Sequence, residues 1–146
     1  MPMSKSAKSY INISQKIRTV IRHVINGGYC LVIATDPSCF SFVKPILENN
    51  GIDARLANFT YSSVFLDKDA SHIISIVIDI KRDDFLKGID IINTLEKEHS
   101  EIPYVVSTDS KEVSKWISNQ YPKVNILTKT DDMHNLVDAL GVSHCA

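Results

Sequence analysis

The sequence lacks several features that would assign it to a functional class at once. Its formal net charge is only −1, so it has no strong electric field to draw it to nucleic acid or to an acidic membrane. Its apolar runs are too short to span a bilayer, and the amino-terminal stretch MPMSKSAKSY contains no apolar core of a secretory signal. We therefore expect a cytoplasmic protein that binds neither nucleic acid nor membrane directly.

Cysteine is scarce, and its spacing excludes the common uses of clustered thiols. The three cysteines are Cys30, Cys39 and Cys145, an odd number without a CxxC pair or a Cys/His spacing. A structural zinc site is therefore not expected, and free thiols in a reducing compartment are the simplest interpretation.

The composition is that of one folded domain with an amino-terminal extension. Of the 146 residues, 44% are hydrophobic and 23% are charged, which is typical of a globular chain. We divide the chain into an extension over 1–28, a domain over 29–141 and a short tail over 142–146. The extension contains an amphipathic helix from about Asn12 to Asn26, with an apolar stripe at helical spacing. This helix either packs on its own domain or contributes to a homodimer.

From residue 29 onward, short apolar runs alternate with segments of helical periodicity. Such alternation is typical of βαβ units, so it predicts a doubly wound α/β fold with a parallel sheet covered by helices on both faces. Pro45 lies inside the first helix, so that helix is expected to start late, near Ser41, or to be kinked. The predicted strands are Leu31–Thr35, Ile52–Ala57, Ile73–Ile80, Ile102–Thr108 and Val124–Lys129. The predicted helices are Ser38–Asn50, Tyr61–Lys68, Phe85–His99, Ser110–Gln120 and Asp131–Leu140.

Polar side chains follow four of the five predicted strands. In such a sheet, ligands bind outside the carboxyl ends of the strands. Two carboxylates meeting there repel each other, and a divalent cation such as Mg²⁺ relieves that repulsion. One of the carboxylates could then act as a nucleophile toward a phosphoryl group, whose oxygens a hydroxyl and an ammonium would hold. The residues expected at this edge are Thr35, Asp36, Asp79, Ser107, Thr108 and Lys129.

The arrangement of these residues resembles the receiver domain of two-component response regulators. The resemblance covers about residues 29–141 and is clearest from Asp79 to Thr108, where an acid after an apolar strand is followed by a loop and by GIDIINTLEKEHSEIPYVVST. It implies the flavodoxin-like fold, with five parallel strands in the order 2-1-3-4-5.

The resemblance also implies a role for each residue of the edge. Asp79 would be the phosphoacceptor, and Asp36 would be a direct Mg²⁺ ligand beside it. The backbone carbonyl of Lys81 would be a further ligand. The hydroxyl of Thr108 would sense the phosphate, and the ammonium of Lys129 would pair with it.

As a receiver, the chain would be a signalling module rather than an enzyme. Its partner would be a histidine kinase or a phosphotransfer protein. A homodimer could form through the amino-terminal helix, or through the face made by the fourth helix, the fifth strand and the fifth helix.

The sequence departs from the receiver pattern at three positions. Thr35 replaces the first of two adjacent acids, Thr130 replaces the proline that usually follows the lysine, and Ile126 occupies the position of the aromatic switch residue. Two alternatives therefore stay open. One is a degenerate receiver-like interaction domain that is not phosphorylated. The other is the flavodoxin-like wing domain of the pyridoxal-phosphate decarboxylases that act on basic amino acids.

Overall fold

A computed structural model of the chain describes residues 27–128 and 135–140, and its central feature is a five-stranded parallel sheet. The strands lie in the order β2-β1-β3-β4-β5, which confirms the predicted 2-1-3-4-5 order and the doubly wound α/β class. Every neighbouring pair runs parallel. The strands are β1 Tyr29–Ile33, β2 Asp53–Ala57, β3 Ile73–Asp79, β4 Tyr104–Ser107 and β5 Asn125–Leu127.

Helices connect the strands at nearly the predicted places. Polar caps start the helices after β2 and β4, where the side chain of Asn58 accepts from Tyr61 N and that of Ser110 accepts from Val113 N. Short 3₁₀ turns precede β3 and the third helix, over Ala70–His72 and Arg82–Asp84. The helices are α1 Pro37–Asn49, α2 Phe59–Lys68, α3 Phe85–Glu98, α4 Lys111–Gln120 and α5 Leu136–Ala139.

The first helix starts earlier than expected from its internal proline. It begins at Pro37, so the predicted late start near Ser41 is wrong. Pro37 occupies the first turn, where a missing N–H has no consequence, and Asp36 caps the helix by accepting from Ser38 N. These two residues together start the helix, and it continues through Pro45 to Asn49.

The core forms two layers because successive side chains of a strand point to opposite faces of the sheet. On β1, Leu31 and Ile33 join the layer beneath α2, α3 and α4, while Cys30 and Val32 join the layer beneath α1 and α5. The central strand β3 is buried along its whole length. Such burial on both faces is typical of an inner parallel strand.

Several predictions concern residues outside the described ranges. They are the amphipathic helix over Asn12–Asn26, Lys129, the Asp131 cap and the tail over 142–146. Within the part of the chain that the structure does describe, no helix has the length and hydropathy needed to cross a membrane.

The close approach of α3 to the end of β3 depends on Gly88. A Cβ atom at this position would lie 2.6 Å from Cδ1 and 2.8 Å from Cγ1 of Ile80, whose β-branched side chain is fully buried. We expect Gly88→Ala to lower the free energy of unfolding by about 1–2 kcal/mol, because overpacking outweighs the gain of about 1 kcal/mol in helix propensity. Urea denaturation followed by circular dichroism measures the change.

Leu86→Ala is the matched control on the same helix, since the Leu86 side chain is exposed. It should change stability by less than about 0.5 kcal/mol. A Gly88→Ala protein as stable as the wild type would contradict the packing argument.

Candidate functional site

The candidate site lies at the carboxyl edge of the sheet, around the last residue of β3. Asp79 ends this strand in register with Ser107 of β4, and its side chain is only 7% exposed. It borders a pocket of about 480 Å³. Polar groups of the lining come from Ser38, Asp79, Lys81, Ser107, Thr108 and Asp109, and Cys39, Phe42 and Leu127 supply apolar surface.

The carboxylate of Asp79 is poorly solvated. Burial, the largest cause, raises its pKa from 3.8 to about 6, and the charges of Asp109, Asp84 and Asp36 add to the increase. The ammonium of Lys81 acts in the opposite direction and lowers this pKa. The carboxylate is therefore mostly ionised at neutral pH but more basic than an exposed aspartate.

Asp36 combines a structural and an electrostatic role through its two oxygens. Its Oδ1 accepts from Ser38 N at 2.8 Å as the cap of α1, while its Oδ2 lies 3.5 Å from Lys81 Nζ. The bond from Ser38 N is the main reason that the pKa of Asp36 is lowered, and the charge of Lys81 lowers it further.

Lys81 therefore contributes its side chain to the site, whereas the receiver resemblance implied only a role for its carbonyl. Burial acts to lower the pKa of this lysine, but the charges of Asp79 and Asp36 act against it and the net pKa is raised. Its carbonyl oxygen accepts from Asp84 N at 2.9 Å, which leaves a second lone pair on that oxygen.

Asp84 is a buried carboxylate that the sequence analysis did not predict. It is 6% exposed, and its Oδ1 accepts a 2.8 Å hydrogen bond from Thr35 Oγ1. In the receiver pattern an additional acid stands at the position of Thr35. Here the carboxylate next to this position is that of Asp84, from the loop after β3.

Thr108 connects the pocket to β5 and α4. It is 3% exposed, and its N–H donates to Leu127 O at 3.0 Å. Its Oγ1 accepts from the backbone N–H of Ser110, the cap of α4, at 3.1 Å. Any movement of this hydroxyl toward the pocket would remove that bond from the start of α4.

Cys39 forms part of the pocket wall as a neutral thiol. Burial raises its pKa to about 12, and the charge of Asp79 contributes to the increase. A thiol with such a pKa is a poor nucleophile at neutral pH. The site therefore has Asp79 as its nucleophilic candidate rather than this cysteine.

Two contacts join the loop after Asp79 to α4. Arg82 donates from its guanidinium to Glu112 Oε1 at 2.6 Å. Phe85, the first residue of α3, packs edge-on against Trp116 with a ring-centroid distance of 5.0 Å. The loop that carries Lys81 and Asp84 is thus attached to the helix that Thr108 also contacts.

The donor set fits a hard divalent cation in its chemistry. Carboxylates and a backbone carbonyl are the ligands that Mg²⁺ takes, usually completed by water. Across residues 27–128 and 135–140, no three Asp, Glu, His or Cys side chains surround one metal position. In the ligand set that the receiver resemblance implies, Asp36, Asp79 and the carbonyl of Lys81 would hold Mg²⁺, with water completing its coordination.

The structure places most of the predicted site residues in one region. Asp79, Lys81, Ser107 and Thr108 line the pocket, and Asp36 joins them through Lys81. Lys129 lies outside the described residues, and Thr128, which precedes it in the sequence, lines the pocket.

The sequence analysis missed Asp109 and Asp84. Asp109 lies two residues after β4 and directly after the predicted strand Ile102–Thr108, so the strand-end argument that found Asp79 could also have found it. Asp84 lies in the loop after β3, and only the fold of that loop brings it back toward Thr35.

No protein-family model and no curated protein matches the sequence. Two solved structures share the fold. A de novo designed Rossmann 2x3 fold protein is 18% identical with a TM-score of 0.59, covering 76% of this chain and 86% of the design. A sensor protein from Polaromonas sp. JS666 is 20% identical with a TM-score of 0.60, covering 77% of this chain and 92% of that one. These likenesses support the Rossmann-like, flavodoxin-like α/β fold and concern the fold alone.

The raised pKa of Asp79 predicts a pH-dependent gain in stability for Asp79→Asn. The folded protein binds this proton more tightly than the unfolded chain does, so ionisation reduces stability as pH rises from about 4 to about 6. Asp79→Asn should therefore raise the free energy of unfolding at pH 8 by roughly 1–3 kcal/mol, with little gain below pH 4. Urea denaturation at both pH values measures it.

Asp83→Asn serves as the control, because Asp83 is an exposed acid in the same loop. It changes the net charge equally but should show no comparable pH-dependent gain. Equal gains in the two variants would mean that the charge of the whole protein, rather than the burial of Asp79, is responsible.

Proposed function

We propose that this chain is a receiver-like signalling domain in which Asp79 accepts a phosphoryl group. The observation that supports this most directly is the position of Asp79. Its buried carboxylate ends the central strand and faces a polar pocket shared with Lys81 and Thr108. Asp36 lies at the same edge and pairs with Lys81.

In the proposed reaction, a carboxylate oxygen of Asp79 attacks the phosphorus atom of a phosphoryl donor. The bond between phosphorus and the donor breaks, its electron pair leaves with the donor, and an acyl phosphate forms on Asp79. Bound Mg²⁺ would neutralise negative charge on the phosphoryl oxygens. With a pKa of about 6, Asp79 is mainly the required carboxylate at neutral pH.

Thr108 is the proposed link from the phosphoryl group to the surface. Its hydroxyl would donate to a phosphoryl oxygen, and the ammonium of Lys129 would pair with the same group. The bond that Thr108 Oγ1 now accepts from Ser110 N would then be weakened or lost at the start of α4. The response would therefore appear on α4 and β5, the face proposed for dimerisation together with α5.

The cellular context remains part of the proposal. A histidine kinase or a phosphotransfer protein in the cytoplasm would supply the phosphoryl group. A structural neighbour is named a sensor protein, which is compatible with signalling but transfers no site to this chain.

One observation favours a second candidate, a receiver-like interaction domain that is not phosphorylated. The Lys81 ammonium lies 3.5 Å from Asp36 Oδ2, so a cation belonging to the protein already offsets the acids of the site. This lysine reduces the repulsion among the acids without a metal or a phosphoryl group. In the part of the chain that the structure describes, no observation favours the decarboxylase wing domain.

Incubation with acetyl phosphate and Mg²⁺ tests the proposal. We expect intact-protein mass spectrometry to show one added phosphoryl group on the wild type and none on Asp79→Asn, because the nucleophile is absent. Asp83→Asn, the exposed acid nearby, should be modified like the wild type.

Two outcomes would count against phosphorylation of Asp79. Modification that persists in Asp79→Asn would assign the phosphoryl group to another residue. An unmodified wild type whose amide shifts also stay unchanged with Mg²⁺ and beryllofluoride would support the second candidate.

A further inference from the structure

The ammonium of Lys81 lies among the acids of the site. Its Nζ atom is 3.5 Å from Asp36 Oδ2. The charges of Asp79 and Asp109 also act on it, although its side chain is 41% exposed. A single lysine thus offsets several carboxylates at the edge where a divalent cation is expected.

The two carboxylate oxygens of Asp36 have different partners. Its Oδ1 is held at 2.8 Å by the backbone N–H of Ser38, in the cap that starts α1. A cation on this oxygen would compete with the N–H bond that caps α1. The remaining oxygen, Oδ2, is the one that Lys81 contacts.

Lys81 in its present position hinders the binding of a divalent cation to Asp36. Two positive charges separated by a few ångströms repel, so a cation on Asp36 Oδ2 and the Lys81 ammonium compete for the same oxygen. The lysine can move away, because it is partly exposed and its flexible stem allows other positions.

We infer that Lys81 is a tethered counter-ion that competes with Mg²⁺ for Asp36 and so sets the cation affinity of the site. This inference rests on the proposed function, which requires the cation. The lysine offsets part of the negative charge in the resting protein. Phosphorylation would then start only at cation concentrations sufficient to displace it.

The neighbouring Arg82 provides a matched control for the charge. Its guanidinium pairs with Glu112 of α4 at 2.6 Å, and both side chains are well exposed, at 70% and 78%. Replacing Arg82 removes one positive charge from the same loop without removing a contact to Asp36.

Mg²⁺ titrations of the full chain, followed by backbone amide shifts near Asp36 and Asp79 at constant ionic strength, test the inference. Lys81→Met keeps the side-chain length and removes the charge. We expect it to bind Mg²⁺ about five- to tenfold more tightly than the wild type, because the competing ammonium is absent. Arg82→Met should stay within about twofold of the wild type.

A double-mutant cycle with Asp36→Asn identifies the shared oxygen. If Lys81 acts through Asp36, most of the gain from Lys81→Met disappears in the Asp36→Asn background. A gain of equal size in both backgrounds would indicate a general charge effect and would overturn the inference. So would an unchanged affinity in Lys81→Met, or the absence of Mg²⁺ binding in both wild type and variant.

The acetyl phosphate reaction separates this inference from the proposed function. Tighter Mg²⁺ binding by Lys81→Met without modification of Asp79 would leave the counter-ion role standing and remove phosphorylation. Modification of Asp79 with an unchanged Mg²⁺ affinity in Lys81→Met would support phosphorylation and overturn the counter-ion role.

Discussion

The burial of the central strand is the constraint on which the site depends. Strand β3 has neighbours on both edges and helices over both faces, so every residue from Ile73 to Asp79 is buried. Asp79 is the last residue of this strand and its one carboxylate, and it borders the polar pocket. Taking a charged group out of water is costly unless other charges compensate. The arrangement around Asp79 follows from that cost.

The positive charge near Asp79 is smaller than the negative charge around it, and the surrounding acids raise the pKa of its carboxyl group further. Lys81 supplies one positive charge, while Asp36, Asp84 and Asp109 all act to keep the proton on Asp79. A further cation would relieve this excess of negative charge, whether it arrives as a metal ion or, in a receiver, together with a phosphoryl group. Buried carboxyl groups with shifted pKa values are typical of functional sites, although structural ion-pair networks also produce them.

The order of elements could be predicted from the sequence because the strands other than β2 are short apolar runs between helical segments. Asp79 and Thr108 could be located for the same reason, since the carboxyl end of a parallel strand has a fixed place in this fold. The early start of α1 could not be predicted by weighing Pro45 alone. Pro37 at the first turn and the cap at Asp36 together favour it.

The charges within the site were harder to predict than its position. The side chain of Lys81 and the carboxylate of Asp84 belong to a loop with a 3₁₀ turn, where side-chain directions follow no simple period. Sequence periodicity locates residues of strands and helices because their side chains repeat regularly. The loop has no such repeat, so the return of Asp84 to Thr35 is evident only in three dimensions.

The edge-on packing of Phe85 against Trp116 gives this domain a built-in optical probe. Trp116 is the sole tryptophan of the chain, and it is 39% exposed on α4. Phe85 follows directly on the loop that carries Lys81 and Asp84, so a displacement of this loop would change the ring contact and the solvation of the indole. Intrinsic fluorescence would therefore follow events at the buried carboxylate without any attached label.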